Sequence, residues 1–542
     1  MRDVAGGIPP AALDEWIAIV GADHVIADQA VCRDLETATF ATRQRVPLVV
    51  RPATREDVQA CLRVAHRHGV PVYPLSTGHN WGYGSSVPAS DGNVVLDLQR
   101  LTRIVDFDED LGHVTIEPGV TQRQLYDFLI ERRSKLWMDA TGAGPGCSVI
   151  GNTVERGFGH TPYGDHFAHV CALEVVLADG TCVTTGMGRF DGATAAPVYR
   201  WGAGPVLDGL FAQSNFGVVT RMTVWLMPAP ERFQAFFFRC EPSQTFAALI
   251  DALRPLRLDG TLKSAVHIGN DYKVLNGLGQ YPWDLTGGST PLQPEHVAQL
   301  RPRLRIGVWN GSGGLYGTRA QVAEARRLIR RALRGKVSHL QFLSDTKLKY
   351  AQRFAGPYQH LTGWDLRSAL ALLRPVYGLM KGVPTGETLH STYWRKRTPP
   401  PADMDPDRDG CGLLWCAPVS PLEGRHAERM ARLSIDILLR HGFEPMLSLT
   451  MVTERALTCV VSICYDRHVP GEDDRAMACY HDLLESLALE GYYSYRVGIQ
   501  AGQHLNRGTP YDELLERLKQ TLDPKGILAP GRYGIGAPAP GA

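Results

Sequence analysis

From Pro74 to Gly84 the chain reads Pro-Leu-Ser-Thr-Gly-His-Asn-Trp-Gly-Tyr-Gly, which sets one imidazole, His79, and one phenol, Tyr83, in a turn of otherwise mostly small residues. Backbone N–H groups can converge on a pyrophosphate only where side chains are small or absent, a need that Ser76, Thr77, Gly78, Asn80, Gly82 and Gly84 meet. The spacing is not GxGxxG and no Walker lysine follows, which argues against a nicotinamide or a nucleoside triphosphate. A strand-to-helix loop with no ligand would use the same residues. If the turn is a phosphate cradle, His79 and Tyr83 lie beside the bound cofactor.

The elements that must hold this turn are legible around it. Pro47 to Ala53 forms a short β run, Thr54 and Asp57 supply an N-cap and a first-turn carboxylate, and a helix follows over Val58 to His68. Val70 to Leu75 is a second strand that runs straight into the turn, giving a strand, helix, strand unit. Further strands are expected at Val94–Leu98, Val114–Gly119, and Leu173–Ala178 with Thr181–Thr185, the last two joined by Asp179-Gly180. A helix begins near Thr121, and the alternating run from Val218 ends at prolines near residue 230, where a boundary belongs. Beyond it, longer helical patterns (Gln321 to Leu333, Arg425 to His441) alternate with strands such as Leu447 to Val452, and Pro399 to Asp409 is a loop. The tail, Thr509 to Leu522, is an amphipathic helix. Three segments are expected: 1–230, 231–490 and 491–542.

A chain of 542 residues, 44% hydrophobic and 21% charged, buries a large core and exceeds one ordinary domain. The 57 Lys and Arg nearly cancel the 56 Asp and Glu, so no global field favours nucleic acid or an anionic membrane. No run approaches the roughly 20 apolar residues of a membrane span and no secretory h-region opens the chain, so a cytoplasmic location is expected. Eleven cysteines, an odd number without CxxC pairs, argue against a disulfide framework and a structural zinc site. His166 and His169 show HxxH spacing without a third ligand, and no metal is expected.

A second segment is more specific. Gly151-Asn-Thr-Val-Glu-Arg-Gly-Phe-Gly-His-Thr-Pro-Tyr-Gly-Asp-His166, with Leu136 to Asp139 before it, strongly resembles the vanillyl-alcohol oxidase and p-cresol methylhydroxylase family of flavoproteins. The resemblance extends through Gly204–Thr220, Lys381–Leu389, Tyr393–Arg395 and Leu522–Gly531, nearly the whole chain. It implies an α+β fold: a PCMH-type FAD-binding domain split between the N- and C-terminal segments, with an α+β substrate cap between them. It also implies FAD as cofactor, held by Ser76, Thr77, Gly78, His79, Asn80, Gly82, Cys147, Gly151, Asn152, Val218 and Arg532. Tyr83, Tyr495 and Arg496 stand where the family grips its substrate as a phenolate; two phenolic donors and a fixed cation lower a bound phenol's pKa from about 10 toward neutrality. Arg532 stands where the family usually has lysine, and a cation there would stabilise a reduced, anionic flavin.

Departures from the family pattern carry information too. The family's cap tether to the flavin would fall in Cys411–Pro418, where Leu413 offers no nucleophile. His79 and Cys147 instead occupy the positions at which bicovalent flavoproteins of the berberine-bridge type attach the flavin 8α carbon and C6. Attachment through both, through His79 alone, or through neither is open, and the two nucleophiles together favour both. His160 replaces a usual tyrosine, and Glu155 with Arg156 is expected to form a buried architectural pair. Trp364, Tyr393, Trp415 and Met451 are candidate pocket residues. The implied activity is hydride removal from a carbon conjugated to a phenol-like hydroxyl of a small aromatic substrate, with O2 as electron acceptor and a homodimer as the family expectation. A bicovalent alcohol or amine oxidase using Tyr495 as general base, and a flavin subunit serving an external electron carrier, are the competing readings.

Overall fold

The computed structural model describes residues 7–241, 246–355 and 366–536. Its first long helix, Arg55–His68, starts where the Thr54 hydroxyl accepts the Asp57 N–H and the Asp57 carboxylate accepts the Thr54 N–H. Val58, Cys61, Leu62 and Ala65, spaced 3 and 4 residues apart, form its buried stripe, and Gly69 closes it in the left-handed region. The helix crosses over a sheet in which Val49–Val50, Val94–Asp97 and Val72–Leu75 run parallel in that order, with Val25–Ile26 antiparallel at the outer edge. Val72 also meets the far end of the chain: its N–H donates to the Ile527 carbonyl at 2.8 Å and its carbonyl accepts from Ala529 at 2.8 Å.

A second sheet is fully antiparallel, in the order Ile104–Asp108, His113–Ile116, Val218–Trp225, Val170–Val176, Cys182–Thr184. Gly180, at φ 82°, makes the turn that joins the last two in sequence, as the Asp-Gly pair implies.

From Arg232 onward the chain builds an antiparallel sheet of eight strands. Its order is His339–Leu343, Arg232–Cys240, Trp309–Gly317, His267–Asn270, Met446–Thr450, Ala456–Asp466, Cys411–Cys416, with Val419–Pro421 also pairing with Ala456–Asp466. Side chains alternate across it. Ile268, Leu414, Leu447, Leu449, Val461 and Ile463 point into the core under the helices Phe246–Leu258, Gly424–Arg440 and Glu472–Leu489. His267, Leu413, Trp415, Ser448, Thr450 and Val460 point the other way and line a cavity.

The strand Trp309–Gly317 does not stand out in the sequence because glycine interrupts its alternation. Pairing explains it: Phe238 lies opposite Gly311 and Phe236 opposite Gly313, and a Cβ at those glycines would come within 2.1 and 2.7 Å of the rings.

The closing helix Pro510–Leu522 opens with a Thr509 and Asp512 capping box and ends on a buried ion pair, Lys519 to Asp523 at 2.8 Å. Asp523 also accepts the Ile527 and Leu528 N–H groups, which fixes the segment that docks on Val72. Removing one partner of a buried pair costs about 3–5 kcal/mol. Asp523→Ala is therefore expected to lower the denaturant midpoint strongly, and Asp523→Asn, which keeps an acceptor for the backbone N–H groups, to lower it less.

Candidate active site

Two cavities meet at the turn that follows the strand Val72–Leu75. The first is a cleft with about 1020 Å³ of open space, and the strand Val72–Leu75 delivers Ser76 to Asn80 into it. Ser76, Thr77, Gly78, His79, Asn80, Cys147, Gly151, Asn152, Val218 and Arg532 all line this cleft. Its walls need glycine: a Cβ on Gly78, at φ 71°, would lie 2.1 Å from Ser86 Oγ, and one on Gly151 would lie 2.3 Å from Ser76 Oγ. Thr77 Oγ1 accepts the Ser148 N–H at 2.9 Å and ties the turn to the segment that carries Cys147. No hydrogen bond among the described residues takes the N–H of Thr77, Gly78 or His79. These donors suit a diphosphate.

Two of the expected backbone donors are engaged elsewhere. The Asn80 N–H donates to Gly78 O at 2.7 Å, and the Gly82 N–H donates to Thr39 Oγ1 at 3.0 Å. Gly82 lies outside the cleft, and its glycine is required because a Cβ there would sit 1.8 Å from Trp415 Cδ1. Gly84 makes room for Ile499 in the same way, with 2.7 Å to its Cγ1.

His79 stacks on Trp81, ring centroids 4.7 Å apart, and its other edge meets Gly146, where a Cβ would come within 2.7 Å of His79 Cε1. The imidazole thus lies against the residue preceding Cys147. Burial lowers the basicity of His79, with Asp405 opposing, so the ring is neutral, and its buried Nδ1 has no hydrogen-bond partner among the described residues. Burial pushes the Cys147 thiol up to about 12 against the pull of Arg496. The cradle, the free donors and the orphaned imidazole fit a flavin dinucleotide.

The second cavity holds about 2190 Å³ of open space, counting the solvent at its mouth, and Tyr83, Tyr495 and Arg496 converge where it joins the first. His79, Asn80, Asn152 and Arg496 line both. Main-chain bonds set this corner: the Ile499 N–H donates to Tyr83 O at 3.0 Å, and the Tyr495 N–H donates to Ala417 O at 3.2 Å, at the end of the strand Cys411–Cys416. Arg496 places its Cζ 4.5 Å above the Tyr83 ring and donates to Asn80 Oδ1 at 2.6 Å. Burial raises both phenols, Tyr83 further because Tyr495 is its neighbour; Arg496 pulls the other way without prevailing. Both are neutral donors at physiological pH.

Glu155 does not pair with Arg156. The chain turns at Arg156, φ 50°, and sends that side chain to solvent. Glu155 Oε2 instead accepts from Arg532 Nη2 at 2.8 Å and from the Tyr533 hydroxyl at 2.5 Å, and lies 3.6 Å from Arg496 Nε. Burial opposes its ionisation, but Arg532 and Arg496 outweigh that and hold the carboxyl below its ordinary value.

Farther along the cavity, His160 and His267 approach to 4.4 Å between ring centroids, and His267 Nδ1 lies 3.1 Å from Thr450 Oγ1. Burial lowers both, so both are neutral. Of the candidate pocket residues, Trp415 lines the cavity together with Leu413, Met451 belongs to the core behind the sheet, and Tyr393 is buried with its hydroxyl on Asp409. Trp364 lies outside the described residues. Sequence reasoning missed Lys273 and His267, because each lies in a segment whose pattern looks ordinary: the sheet register turns His267 inward, and the packing of the helix Asp271–Leu278 on the sheet turns Lys273 inward.

The chain is similar to known flavoproteins. An FAD binding domain family matches residues 46–186. The chain is 45% identical over 524 residues to the 1'-carboxy-chondrochloren decarboxylase of Chondromyces crocatus, covering 96% of each. It is 31% identical to the 4-cresol dehydrogenase (hydroxylating) flavoprotein subunit of Pseudomonas putida, over 97% of this chain and 95% of that one. The chain belongs to the p-cresol methylhydroxylase-type flavoprotein family. A solved structure of 4-ethylphenol oxidase from Gulosibacter chungangensis, in complex with isoeugenol, superposes with a TM-score of 0.88 at 29% identity, covering 98% of this chain and 99% of that one. The protein is thus an FAD-dependent oxidoreductase with the PCMH-type fold, and among the described residues no helix is long and apolar enough to cross a membrane.

In this flavoprotein Glu155 is the counter-ion of two buried guanidinium groups, and its lowered pKa sets the sign of a pH effect. Its stabilisation is complete above the unfolded value of about 4.5 and is lost as the pH falls through the folded one. Glu155→Gln is expected to lower the denaturant midpoint at pH 7 and to flatten the decline of stability between pH 5 and about pH 3.

Proposed function

We propose that the enzyme oxidises a phenol bearing an alkyl side chain para to its hydroxyl, binding it as a phenolate. The observation that carries this reading is the convergence of Tyr83, Tyr495 and Arg496 at the junction of the two cavities. Lowering a bound phenol by three pKa units takes about 4 kcal/mol. Hydrogen bonds to a charged partner contribute about 1.5–3 kcal/mol each, so two phenolic donors and a guanidinium suffice. The raised pKa values favour this role over the competing one: a buried Tyr495 that keeps its proton can donate to a phenolate and cannot serve as a general base.

FAD bound in the cleft supplies the acceptor for the hydride leaving the benzylic carbon, and O2 is the proposed external oxidant. The residues do the rest. Tyr83 and Tyr495 donate to the phenolate oxygen and Arg496 balances its charge; electron density pushed from that oxygen expels the hydride and leaves a p-quinone methide. This intermediate takes up water or loses a group from the neighbouring carbon. Where that carbon carries a carboxylate, the C–C bonding pair returns to the ring, CO2 departs, and a 4-hydroxystyrene forms. The similarity to a decarboxylase supports this second outcome.

We propose that FAD is tethered through His79 to its 8α carbon and through Cys147 to C6. The neutral, partnerless His79 Nδ1 and the placement of both nucleophiles on the cleft wall support it. Cys147 must lose its proton to react, and Arg496 is the cation that favours the thiolate.

Two experiments test these proposals. Under anaerobic conditions 4-ethylphenol should bleach the flavin while 4-ethylanisole, its methyl ether, does not, and Tyr495→Phe should slow bleaching by about 10- to 100-fold; bleaching by the ether defeats the phenolate. Acid-precipitated protein should remain yellow in the wild type and in His79→Ala or Cys147→Ala, and turn colourless only in the double variant. A colourless wild-type pellet overturns the tethers.

A further inference from the structure

The cavity contains a cation that none of the steps above uses. Lys273, on the helix Asp271–Leu278, lays its stem over the strand residue Gly269, where a Cβ would lie 3.5 Å from Lys273 Cβ. Its ammonium reaches the sheet face, 3.2 Å from Asn276 Oδ1 and 3.4 Å from Ser462 Oγ, and lies 5.2 Å from the centre of the Trp415 ring. Asn276 is oriented for this contact, because its amide donates to Ser391 O at 2.7 Å.

The two fully buried lysines show what this half-buried one lacks. Lys396 has Asp466 at 2.8 Å and Lys519 has Asp523 at 2.8 Å. Lys273 has no carboxylate within ion-pair distance among the described residues; both of its acceptors are neutral. Glu387, on the turn that packs against its helix, lines the same cavity but forms no ion pair with it. Burial lowers the lysine's affinity for its proton. An ammonium removed from water and left unmatched is costly, and an anionic ligand would relieve that cost. The position is also apt. Trp415 packs directly on the backbone of Gly82, the residue before Tyr83, so the ammonium lies about one indole from the phenolate end of the cavity.

We propose that Lys273 anchors a carboxylate on the substrate's side chain, which makes the substrate class a 4-hydroxyphenyl compound with a carboxylate-bearing side chain. The inference deepens the phenol reading and rests on it for the substrate's other end. Lys273 binds and orients the anion; if that carboxylate is the one lost as CO2, its negative charge passes to the phenolate oxygen at Arg496.

The test separates the two ends. 3-Phenylpropanoate and 3-phenylpropanamide carry no phenol, and their binding is read from perturbation of the flavin spectrum in the FAD-loaded enzyme. The wild type should prefer the carboxylate by about tenfold or more. That ratio should fall to about one in Lys273→Met and Lys273→Gln, and Lys273→Arg should retain a preference. A wild type with no preference, or a preference that survives Lys273→Met or Lys273→Gln, overturns the proposal. Bleaching by 4-propylphenol, which lacks a carboxylate, tests the phenol reading alone. Conversion of 3-(4-hydroxyphenyl)propanoate to equimolar 4-vinylphenol and CO2 would show both ends in use.

Discussion

The Glu155 carboxylate holds the site together. It follows the short helix Val149–Val154, and its two cations come from positions 496 and 532, so one buried carboxylate fixes three segments that are distant in sequence. Two guanidinium groups against one carboxylate leave one net positive charge in the cluster. That surplus is useful, because the ligands expected at this corner, a phenolate on one side and a diphosphate or reduced flavin on the other, are anionic. With Glu155 absent, two buried cations would repel across the cleft; with a second carboxylate, the phenolate would find no field to stabilise it.

Much of this arrangement is legible in the amino-acid sequence. The strand, helix, strand unit that presents Ser76 to Asn80 is marked by the Thr54 cap and the apolar stripe after it, and the protein forms the unit there. What a glycine faces is not legible in the same way. Gly78 and Gly151 serve the cleft, whereas Gly82 and Gly84 exist for Trp415 and Ile499, which belong to segments hundreds of residues away. Gly311 and Gly313 likewise make sense only once Phe238 and Phe236 are paired opposite them. Adjacency in sequence pairs Glu155 with Arg156, yet a single left-handed residue at 156 sends that partner to solvent and leaves the carboxylate to cations from the far end of the chain.

The family resemblance points to His79 and Cys147 as the nucleophiles, and the geometry bears on why a tether at Leu413 would differ from one at His79. Leu413 faces the cavity from a strand whose alternate residues lie in the core, so a tether there would approach the flavin from the substrate side. His79 approaches from the cradle, rigidly held between Trp81 and Gly146. A tether on the cradle wall leaves the sheet face free of covalent constraint.

That freedom separates reactivity from selectivity. The groups proposed to hold the phenolate, Tyr83, Tyr495 and Arg496, sit on loops clamped to one another by main-chain bonds and by Glu155. The groups at the other end, Lys273, His160 and His267, sit over or beside the open face of an eight-stranded sheet whose opposite face packs against helices. Because side chains alternate along a strand, residues on the open face can change without disturbing the core. On the proposed mechanism, the position and charge of the side-chain group that meets Lys273 decide whether a quinone methide takes up water or loses CO2, while the step that forms it stays the same.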